Sequence, residues 1–516
     1  MAGTADRIIK NTGWLYAKMA VTMFVSFYTT RLILNGLGVT DFGIYNIVGG
    51  AISMLGFLNS TMATATQRFM SYAEGQGSPD RKRAIFNVSL TLHLVLGLIV
   101  AVMLTLAGFV FFDGVLNIPP SRHHAALAVY GCLVASTFLT IINVPYDAVM
   151  NSHENMRYYA LVGVLESLMK LAVAFACVRA TADKLIVYAV LMACIPAVTL
   201  TIMKVYCHRH YPECVIGVRR YYDANISKEM LHFAGWNFWG STSSLIGNYG
   251  NGIVMNHFYG ATLNAAMGIA GQLNGQLHVF SNNMLKALNP AIMKSEGAGD
   301  RQKMLALATS GCKSSFALFA VLAIPFIIEM PFFLQVWLQH VPEWAVLFTQ
   351  LQLVRTLIEM LAISYGSAIV AEGHIARYEV WTSILYLVPV TLLYILFSLG
   401  YSPVTMYALN ISVFGILLAC IRVYFVHRNC GMPYRFFLTR LLLPLAASFV
   451  LSFAVTWFAD RMMPAGWMRF LIVLALGMVS YAVFFWFLSM DGEERGQMRD
   501  LYKKIRLRKL TKPTEV

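Results

Sequence analysis

The chain has 516 residues, of which 58% are hydrophobic and only 12% charged, and its mean hydropathy is +0.62. Soluble globular proteins carry about 25% charged residues, so this composition excludes a soluble protein and predicts a polytopic, all-α membrane protein. The formal net charge of +14 fits the excess of Lys and Arg on the cytoplasmic side of membrane proteins. We therefore expect no nucleic-acid partner.

A transmembrane helix needs about 20 mostly apolar residues, and the sequence offers about fourteen such segments. The segments near Ile246 and Asn274 are the weakest because they are rich in Gly, Ser and Asn. In chain order the predicted helices centre near Met23, Met54, Leu98, Thr137, Leu168, Cys194, Ile246, Asn274, Phe319, Met360, Leu387, Phe414, Val450 and Met478.

The distribution of Lys and Arg predicts the orientation in the membrane. Most of the 39 basic residues fall on one side if the N-terminus is cytoplasmic, so we expect both termini in the cytoplasm. The first residues lack the compact apolar region and cleavage site of a signal peptide. The basic segment 499–513 is predicted either to lie on anionic headgroups or to act as an ordinary positive-inside tail.

An internal repeat becomes visible when the chain is shifted by 222 residues. Gly38 then meets Gly260, and the sequence around Gly13-Trp14 meets Gly235-Trp236. The Glu-Gly-x-Gly sequence at 74–77 meets the same sequence at 296–299. Because the repeat unit contains six spans, its two copies have the same orientation in the membrane. Transporters of this design bind their substrate between the halves, near the midplane.

This repeat predicts two parallel six-helix bundles around a central cavity, followed by a helix pair. The predicted order is an N-terminal bundle over 1–206, a cytoplasmic linker over 207–227, a C-terminal bundle over 228–430, helices 13 and 14 over 431–490, and a basic tail over 491–516.

The segment RLILNGLGVTDFGIYNIVGG at 31–50 resembles a signature of the polysaccharide-type (Wzx-like) flippases in the multidrug/oligosaccharidyl-lipid/polysaccharide exporter superfamily. The residues that carry the resemblance are Leu37, Gly38, Asp41, Phe42, Gly43 and Tyr45. The resemblance implies alternating access in the bacterial inner membrane, with an oligosaccharide on undecaprenyl pyrophosphate as cargo. The basic tail makes anionic membrane lipids expected partners, and polysaccharide polymerase machinery is a further candidate. We expect a monomer.

Four ionisable residues are predicted to lie deep in the membrane, where an unpaired charge costs about 2.5–3.5 kcal/mol. Glu166 and Lys170 are four residues apart, as are Arg355 and Glu359, so each pair can bridge on one helix face. They are candidates for gating or ion coupling, and a purely structural ion pair is the alternative.

Basic residues nearer the membrane surface are candidates for binding a pyrophosphate, for which lysine serves as a point charge. Lys18 and Lys286 are the main candidates, and snorkelling to the headgroups is the alternative. Arg31 and Arg68 are candidates with a less direct role, and Arg31 can instead hold the loop that follows it.

Amide side chains crowd the seventh and eighth predicted helices. Amides suit sugar hydroxyls because they both donate and accept hydrogen bonds, so we expect them to line the cavity, with inter-helix hydrogen bonding as the alternative. These residues are Asn248, Asn251, Gln272, Asn274, Gln276, Asn282 and Asn283.

The sequence predicts no metal site and no cofactor. No carboxylates accompany His93, His257 or His278 in sequence, and the eight cysteines show no metal-ligand spacing. The outer acidic and basic residues, among them Arg122 and Asp183, are scattered along the sequence, and no extended loop exists for a catalytic domain. We therefore predict a transporter and not an enzyme such as a glycosyltransferase, ligase or polymerase.

Three alternatives stay open: a cation or drug antiporter, a flippase for a peptidoglycan precursor, and a scaffold that transports nothing. A cation or drug antiporter of the same superfamily usually has a carboxylate in its first or seventh span, whereas this chain has Lys18 in the first. A cationic interior repels cationic drugs. A flippase for a peptidoglycan precursor fits the same charges and differs only in its cargo.

Overall fold

The computed structural model describes residues 2–53, 56–115, 118–338, 340–492, 494–496 and 499, and these residues form helices and connecting segments without a β-strand. The basic segment 499–513 lies, except for Arg499, outside the described residues. The prediction that it contacts headgroups therefore stays a prediction.

The first part of the chain forms eight helices. They are α1 (Ala2–Ser53), α2 (Gly56–Gln76), α3 (Pro79–Val110), α4 (His123–Ser152), α5 (Met156–Arg179), α6 (Lys184–His210), the single turn α7 (Val218–Tyr221) and α8 (Ala224–Gly297).

Ten helices follow. They are α9 (Arg301–Ile328), α10 (Met330–Leu338), α11 (Ala345–Met360), α12 (Ile363–Glu372), α13 (Ala376–Ser398), α14 (Val404–Asn410), α15 (Leu418–Cys430), α16 (Tyr434–Phe437), α17 (Leu443–Arg461) and α18 (Trp467–Phe484). Short π-helical turns at Phe111–Val115, Ile411–Leu417, Leu438–Leu442 and Phe485–Ser489 extend or join several of them.

Ten helical stretches of the described chain are long and apolar enough to cross a membrane. Each coincides with one predicted segment, from the one near Leu98 to the one near Met478. The other four predicted segments fall on α1, α2 and α8, and the one near Met54 is centred on a residue outside the described part. The all-α class and a number of spans close to fourteen are confirmed.

Two glycines break the long helices α1 and α8. Gly38 has φ 79° and ψ 168°, and Gly260 has φ 76° and ψ −173°. This combination is open almost only to glycine, and at Gly38 it bends the chain by 119° between the flanking helices. The two residues are partners in the 222-residue repeat, and Gly77 and Gly299, another matched pair, also have positive φ. The repeat seen in the sequence is therefore a repeat of backbone conformation.

The described chain divides into two compact units. The N-terminal unit comprises Asn11–Ser241 and Met293–Gly299, and the C-terminal unit comprises Met1–Lys10, Thr242–Ile292 and Asp300–Val516. The domain boundaries predicted from the sequence stay a prediction.

The N-terminal unit has an apolar core between α1, α3, α4 and α6. Val48, Leu104 and Val129 are almost completely buried there, together with Leu185. A second cluster joins α1, α5 and α6 around Ile33 and Tyr188. Both clusters flank the segment 31–50, so the core fixes the bend at Gly38.

Replacing either bending glycine should destabilise the protein. Gly38→Ala and Gly260→Ala force a Cβ into a glycine-only conformation, which costs about 1–3 kcal/mol, and each should lower the thermal unfolding temperature in detergent. Gly13→Ala and Gly235→Ala are the matched controls, since a Cβ at these helical positions meets nothing within 4 Å. Equal unfolding temperatures for all four variants would show that the bends need no glycine.

Candidate substrate-binding and gating residues

The second half of α8 carries an exposed polar face. Its residues recur three or four positions apart, as one side of a helix requires, and only Val279 interrupts them with a larger apolar side chain. A Cβ added at any of its three glycines would meet nothing within 4 Å. This exposed α8 face consists of Gly268, Gly271, Gln272, Gly275, Gln276 and Asn282.

The repeat-matched part of α1 and α2 has a similar surface. Asn46 and Gly50 of α1 are exposed, as are Ser60 and Thr64 of α2. The Asn46, Ser60 and Thr64 side chains each donate a hydrogen bond to a carbonyl of their own helix turn. Small and polar groups are therefore exposed at corresponding places of both repeat copies.

Other predicted amides point into the C-terminal unit. Asn251 is buried, and its Nδ2 donates to Asn410 Oδ1 at 3.2 Å. Asn274 accepts a 2.7 Å hydrogen bond from the Thr356 hydroxyl. These two residues make the inter-helix hydrogen bonds that the sequence left as the alternative to cavity lining.

The remaining predicted amides differ in exposure. Asn248 is exposed and donates to Ser244 O within its own helix at 2.8 Å. Asn282, on the exposed α8 face, donates to His278 Nδ1 at 3.0 Å. Asn283 is half-buried.

Lys18 packs against α5 inside the N-terminal unit. Its Nζ lies 4.4 Å from the centre of the Tyr159 ring, which is a cation–π contact. The end of its side chain occupies the space beside Gly163 that any Cβ would fill. The lysine is half-buried, and its charge is oriented by the ring.

The other basic candidates have distinct surroundings. Arg31 is exposed and Lys286 is half-buried. Arg68 lies among three aromatic rings, with its Cζ 4.8 Å from the Phe69 centroid and 5.2 Å from those of Tyr72 and Phe233. The pyrophosphate-binding role of all four basic residues stays a prediction.

Both i,i+4 pairs expected from the sequence form ion pairs. Lys170 Nζ lies 2.7 Å from Glu166 Oε1, and both side chains are more than 40% exposed. Arg355 Nη2 lies 3.7 Å from Glu359 Oε2, and this pair is largely buried. Their role in gating stays a prediction.

The sequence did not reveal that Arg422 joins the second pair. Its Nη2 lies 4.0 Å from Glu359 Oε1, and its Nε donates to the Tyr378 hydroxyl at 3.4 Å. Arg355 Nε and Arg422 Nη1 have no hydrogen-bond partner among the described residues. One carboxylate therefore serves two largely buried guanidinium groups, and the i,i+4 spacing revealed only one of them.

The Asp of the signature segment anchors a second ion network. Arg122 forms a two-point ion pair with Asp41 and also contacts Asp183, with Nη1 2.6 Å from Asp183 Oδ2. Asp183 in turn caps α6 by accepting from the backbone N–H groups of Leu185 and Ile186. The hydrogen bond from Arg122 holds the pKa of Asp183 below its usual range. Arg122 and Asp183, scattered in sequence, are thus brought together in a structural role.

Three residues of the N-terminal unit offer the geometry of a metal site. Donor atoms of Glu74, His153 and Glu213 all lie within 4.8 Å of one another. However, Lys82 Nζ lies 2.7 Å from Glu74 Oε2 and 4.0 Å from Glu213 Oε2. The ammonium group supplies the positive charge that a metal ion would, so we interpret the group as an ion network.

Comparison with protein families gives one match of direct relevance. A family model described as polysaccharide biosynthesis protein matches residues 8–296, which is more than half of the chain. No curated protein matches the chain.

Solved structures of transporters share the fold. An outward-facing multidrug resistance MATE family transporter of the MOP superfamily has a TM-score of 0.70 at 14% identity, covering 83% of this chain and 96% of its own. A mutant MATE crystal structure has a TM-score of 0.69 at 15% identity, and the match covers 82% of this chain and 96% of that structure. A MOP superfamily transporter from Pyrococcus furiosus has a TM-score of 0.65 at 16% identity, and the match covers 82% of this chain and 97% of that structure. That transporter is described as having a binding pocket of reverse polarity that suggests a different function. At these identities the likeness shows the fold, which is MATE-like.

Removing the shared carboxylate should be costly. Glu359→Gln leaves Arg355 and Arg422 without their common acid. Because the group is largely but not fully buried, the cost should lie between that of an exposed pair, about 1 kcal/mol, and that of a buried one, about 3–5 kcal/mol, and the thermal unfolding temperature should fall. Asp80→Asn is the control, because it removes the exposed Asp80–Arg83 pair, which is worth about 1 kcal/mol or less. A Glu359→Gln protein as stable as the control would mean that the two arginines do not depend on this carboxylate.

Proposed function

This chain belongs to the polysaccharide biosynthesis protein family, and on that premise we propose that it flips undecaprenyl-pyrophosphate-linked oligosaccharide repeat units across the bacterial inner membrane. The family and the fold are those of multi-pass membrane transporters of the MOP type. In the proposed function the protein is a transporter without catalysis. It supplies units for O-antigen, capsule or exopolysaccharide, and both of its termini lie in the cytoplasm.

The observation that carries the proposal is the exposed α8 face. Lipid offers no partner to an amide, and each unsatisfied polar group there costs several kcal/mol. Gln272 and Gln276 are exposed on the part of α8 that follows the break at Gly260, which is long enough to cross a bilayer. We therefore infer that this face meets water and a polar cargo. The neighbouring glycines keep the face open, and the amides can bind sugar hydroxyls as both donors and acceptors.

The charges support an anionic cargo. Lys18 of α1 and Lys286 of α8 each place an ammonium group in helices that also carry the polar faces. Held beside the Tyr159 ring, the charge of Lys18 is available to a phosphate group as a point charge. We assign the pyrophosphate to these two lysines, with Arg31 and Arg68 as further contributors to the positive potential.

The second candidate is a MATE-type cation or drug antiporter, which the fold comparisons favour. The charges argue against it, because a cationic binding surface repels cationic drugs. A peptidoglycan-precursor flippase agrees with both the fold and the charges and differs only in cargo.

Depletion of the protein should identify the cargo. Undecaprenyl-linked glycans extracted from depleted cells are weighed by mass spectrometry, and a periplasmic glycosidase tests which membrane face they occupy. We expect a complete repeat unit to accumulate on the cytoplasmic face. Accumulation of a peptidoglycan precursor would instead identify the protein as a flippase for that precursor. Unchanged glycans with raised retention of a cationic dye would identify it as a drug exporter.

The exposed amides should be needed for transport. In cells depleted of the native protein, a Gln272→Leu/Gln276→Leu variant should express normally but restore little surface polysaccharide, since leucine cannot bind sugar hydroxyls. Gln272→Asn/Gln276→Asn keeps the amides and should restore more. Full restoration by the leucine variant would show that the exposed α8 face does not contact the cargo.

The two lysines should be needed for their charge. Lys18→Ala and Lys286→Ala should each reduce surface polysaccharide at normal expression, whereas Lys286→Arg should retain most of it. Normal transport by both alanine variants would refute the assignment of the pyrophosphate to these lysines.

A further inference from the structure

The end of α8 touches the end of α2 through two glycines, and all four contacting residues belong to the N-terminal unit. A Cβ at Gly75 would overlap the carbonyl oxygen of Lys294, and a Cβ at Gly297 would overlap that of Tyr72. The contacts are copies of each other, because Tyr72 and Lys294, like Gly75 and Gly297, are 222 residues apart. Two backbones in such close contact can separate as a unit without repacking large side chains.

A cluster of charges surrounds this contact. Glu74, next to Gly75, lies 2.7 Å from Lys82 Nζ and 3.4 Å from Lys294 Nζ. Lys294 also lies 3.8 Å from Glu154 Oε1. The charge on Glu74 therefore links α2 to α3 and to the last turn of α8.

His153 lies between two carboxylates of this cluster. Its Nδ1 is 3.5 Å from Glu74 Oε1, and its Nε2 forms a short hydrogen bond with Glu213 Oε1. The ring stacks on Tyr211 with centroids 4.3 Å apart, which fixes its plane. Both ring nitrogens of a histidine carry a proton only in the imidazolium form, so a protonated ring donates to Glu213 and also places a positive charge beside Glu74.

The carboxylate of Glu213 is buried against the imidazole. The Glu213 side chain is 1% exposed, and its Oε2 has no hydrogen-bond partner in the described part of the chain. Burial raises the pKa of Glu213, but the hydrogen bond and charge of His153 outweigh burial and leave it below its ordinary value. A carboxyl whose pKa is lowered stays ionised at neutral pH and is protonated only in acid, whereas histidine ordinarily changes charge between pH 5 and 8.

Acidic and basic side chains surround the imidazole. Glu74, Glu154 and Glu213 form ion pairs with Lys82, with Lys294 and, when it is protonated, with His153. Glu154 follows His153 with a positive φ of 56° and is held by Asn11, whose Nδ2 donates to its carbonyl at 2.9 Å. Such strain in a non-glycine residue costs about 1–3 kcal/mol and persists where the surroundings impose it.

We infer that His153, between Glu74 and Glu213, is a proton-binding site, and that its protonation holds the last turn of α8 against α2. Loss of the proton removes the positive charge between Glu74 and Glu213 and releases the α2–α8 contact. The inference rests on the proposed transport function and deepens it by naming a proton-dependent contact within the transporter.

Hydrogen exchange on the purified, cargo-free protein in nanodiscs of phosphatidylethanolamine and phosphatidylglycerol tests this site. After correction for the intrinsic pH dependence of amide exchange, peptides covering 68–77 and 290–299 should exchange about tenfold faster at pH 8 than at pH 6, as expected for the loss of one charge-assisted hydrogen bond. His153→Gln should exchange fast at both pH values. His153→Arg should stay slow at both, because arginine keeps its charge and stacks on aromatic rings.

Further variants separate this mechanism from general destabilisation. Glu213→Gln should abolish the pH step, and Gly75→Ala should speed exchange at both pH values by preventing the close contact. Gly56→Ala and His374→Gln are the controls: the first adds a Cβ in open space on α2, and the second removes an exposed histidine–carboxylate pair. Both control variants should show the same exchange rates as the native protein. The exchange rate of residues 443–461 should be unchanged in every variant.

A native protein without a pH step, or a His153→Gln protein that keeps it, would overturn the proton site. Neither result would affect the glycan accumulation test, which needs no assumption about coupling. Conversely, a clear pH step with no glycan accumulating in depleted cells would leave the proton site intact and refute the cargo.

Discussion

The constraint on which this structure depends is that a polar group inside a bilayer needs either a partner or water. Within the C-terminal unit the rule is met by direct pairing, as in the amide contact between Asn251 and Asn410 and the carboxylate of Glu359 shared by two arginines. Against that background, polar side chains left exposed on a helix such as Gln272 and Gln276 are informative. They mark where the protein itself provides no partner and a polar cargo can.

The sequence predicted the helices well and their bends poorly. Hydropathy located the ten long apolar helical stretches because each has a continuous run of apolar residues. It cannot detect that α1 and α8 continue through Gly38 and Gly260, since a bend made by one glycine needs no polar loop. Hydropathy is low near Ile246 and Asn274 because amides and glycines replace apolar side chains there.

Residue spacing predicted the ion pairs within one helix, such as Glu166–Lys170, and none of those between distant segments. Arg122 reaches Asp41 across 81 positions, and His153 reaches Glu213 across 60. Helical periodicity reports only on neighbours three or four residues apart, so these contacts depend on how the helices pack. For the same reason the sequence could name the amides of the seventh and eighth spans but could not separate Asn251 and Asn274, which pair with other helices, from the exposed α8 face.

The two copies of the repeat share their backbone and differ in their chemistry. Gly38 and Gly260 bend alike, and Gly75 and Gly297 make matching contacts, so glycine serves the architecture common to both copies. Glu74 is matched by Glu296, but two other charged residues are not repeated, since Lys18 is matched by Gly240 and Asp41 by Leu263. A duplicated frame with unequal charges presents different surfaces to a cargo that is itself asymmetric, with sugars at one end and pyrophosphate at the other. We therefore expect the amides of the exposed α8 face to bind the sugars and the lysines to bind the pyrophosphate.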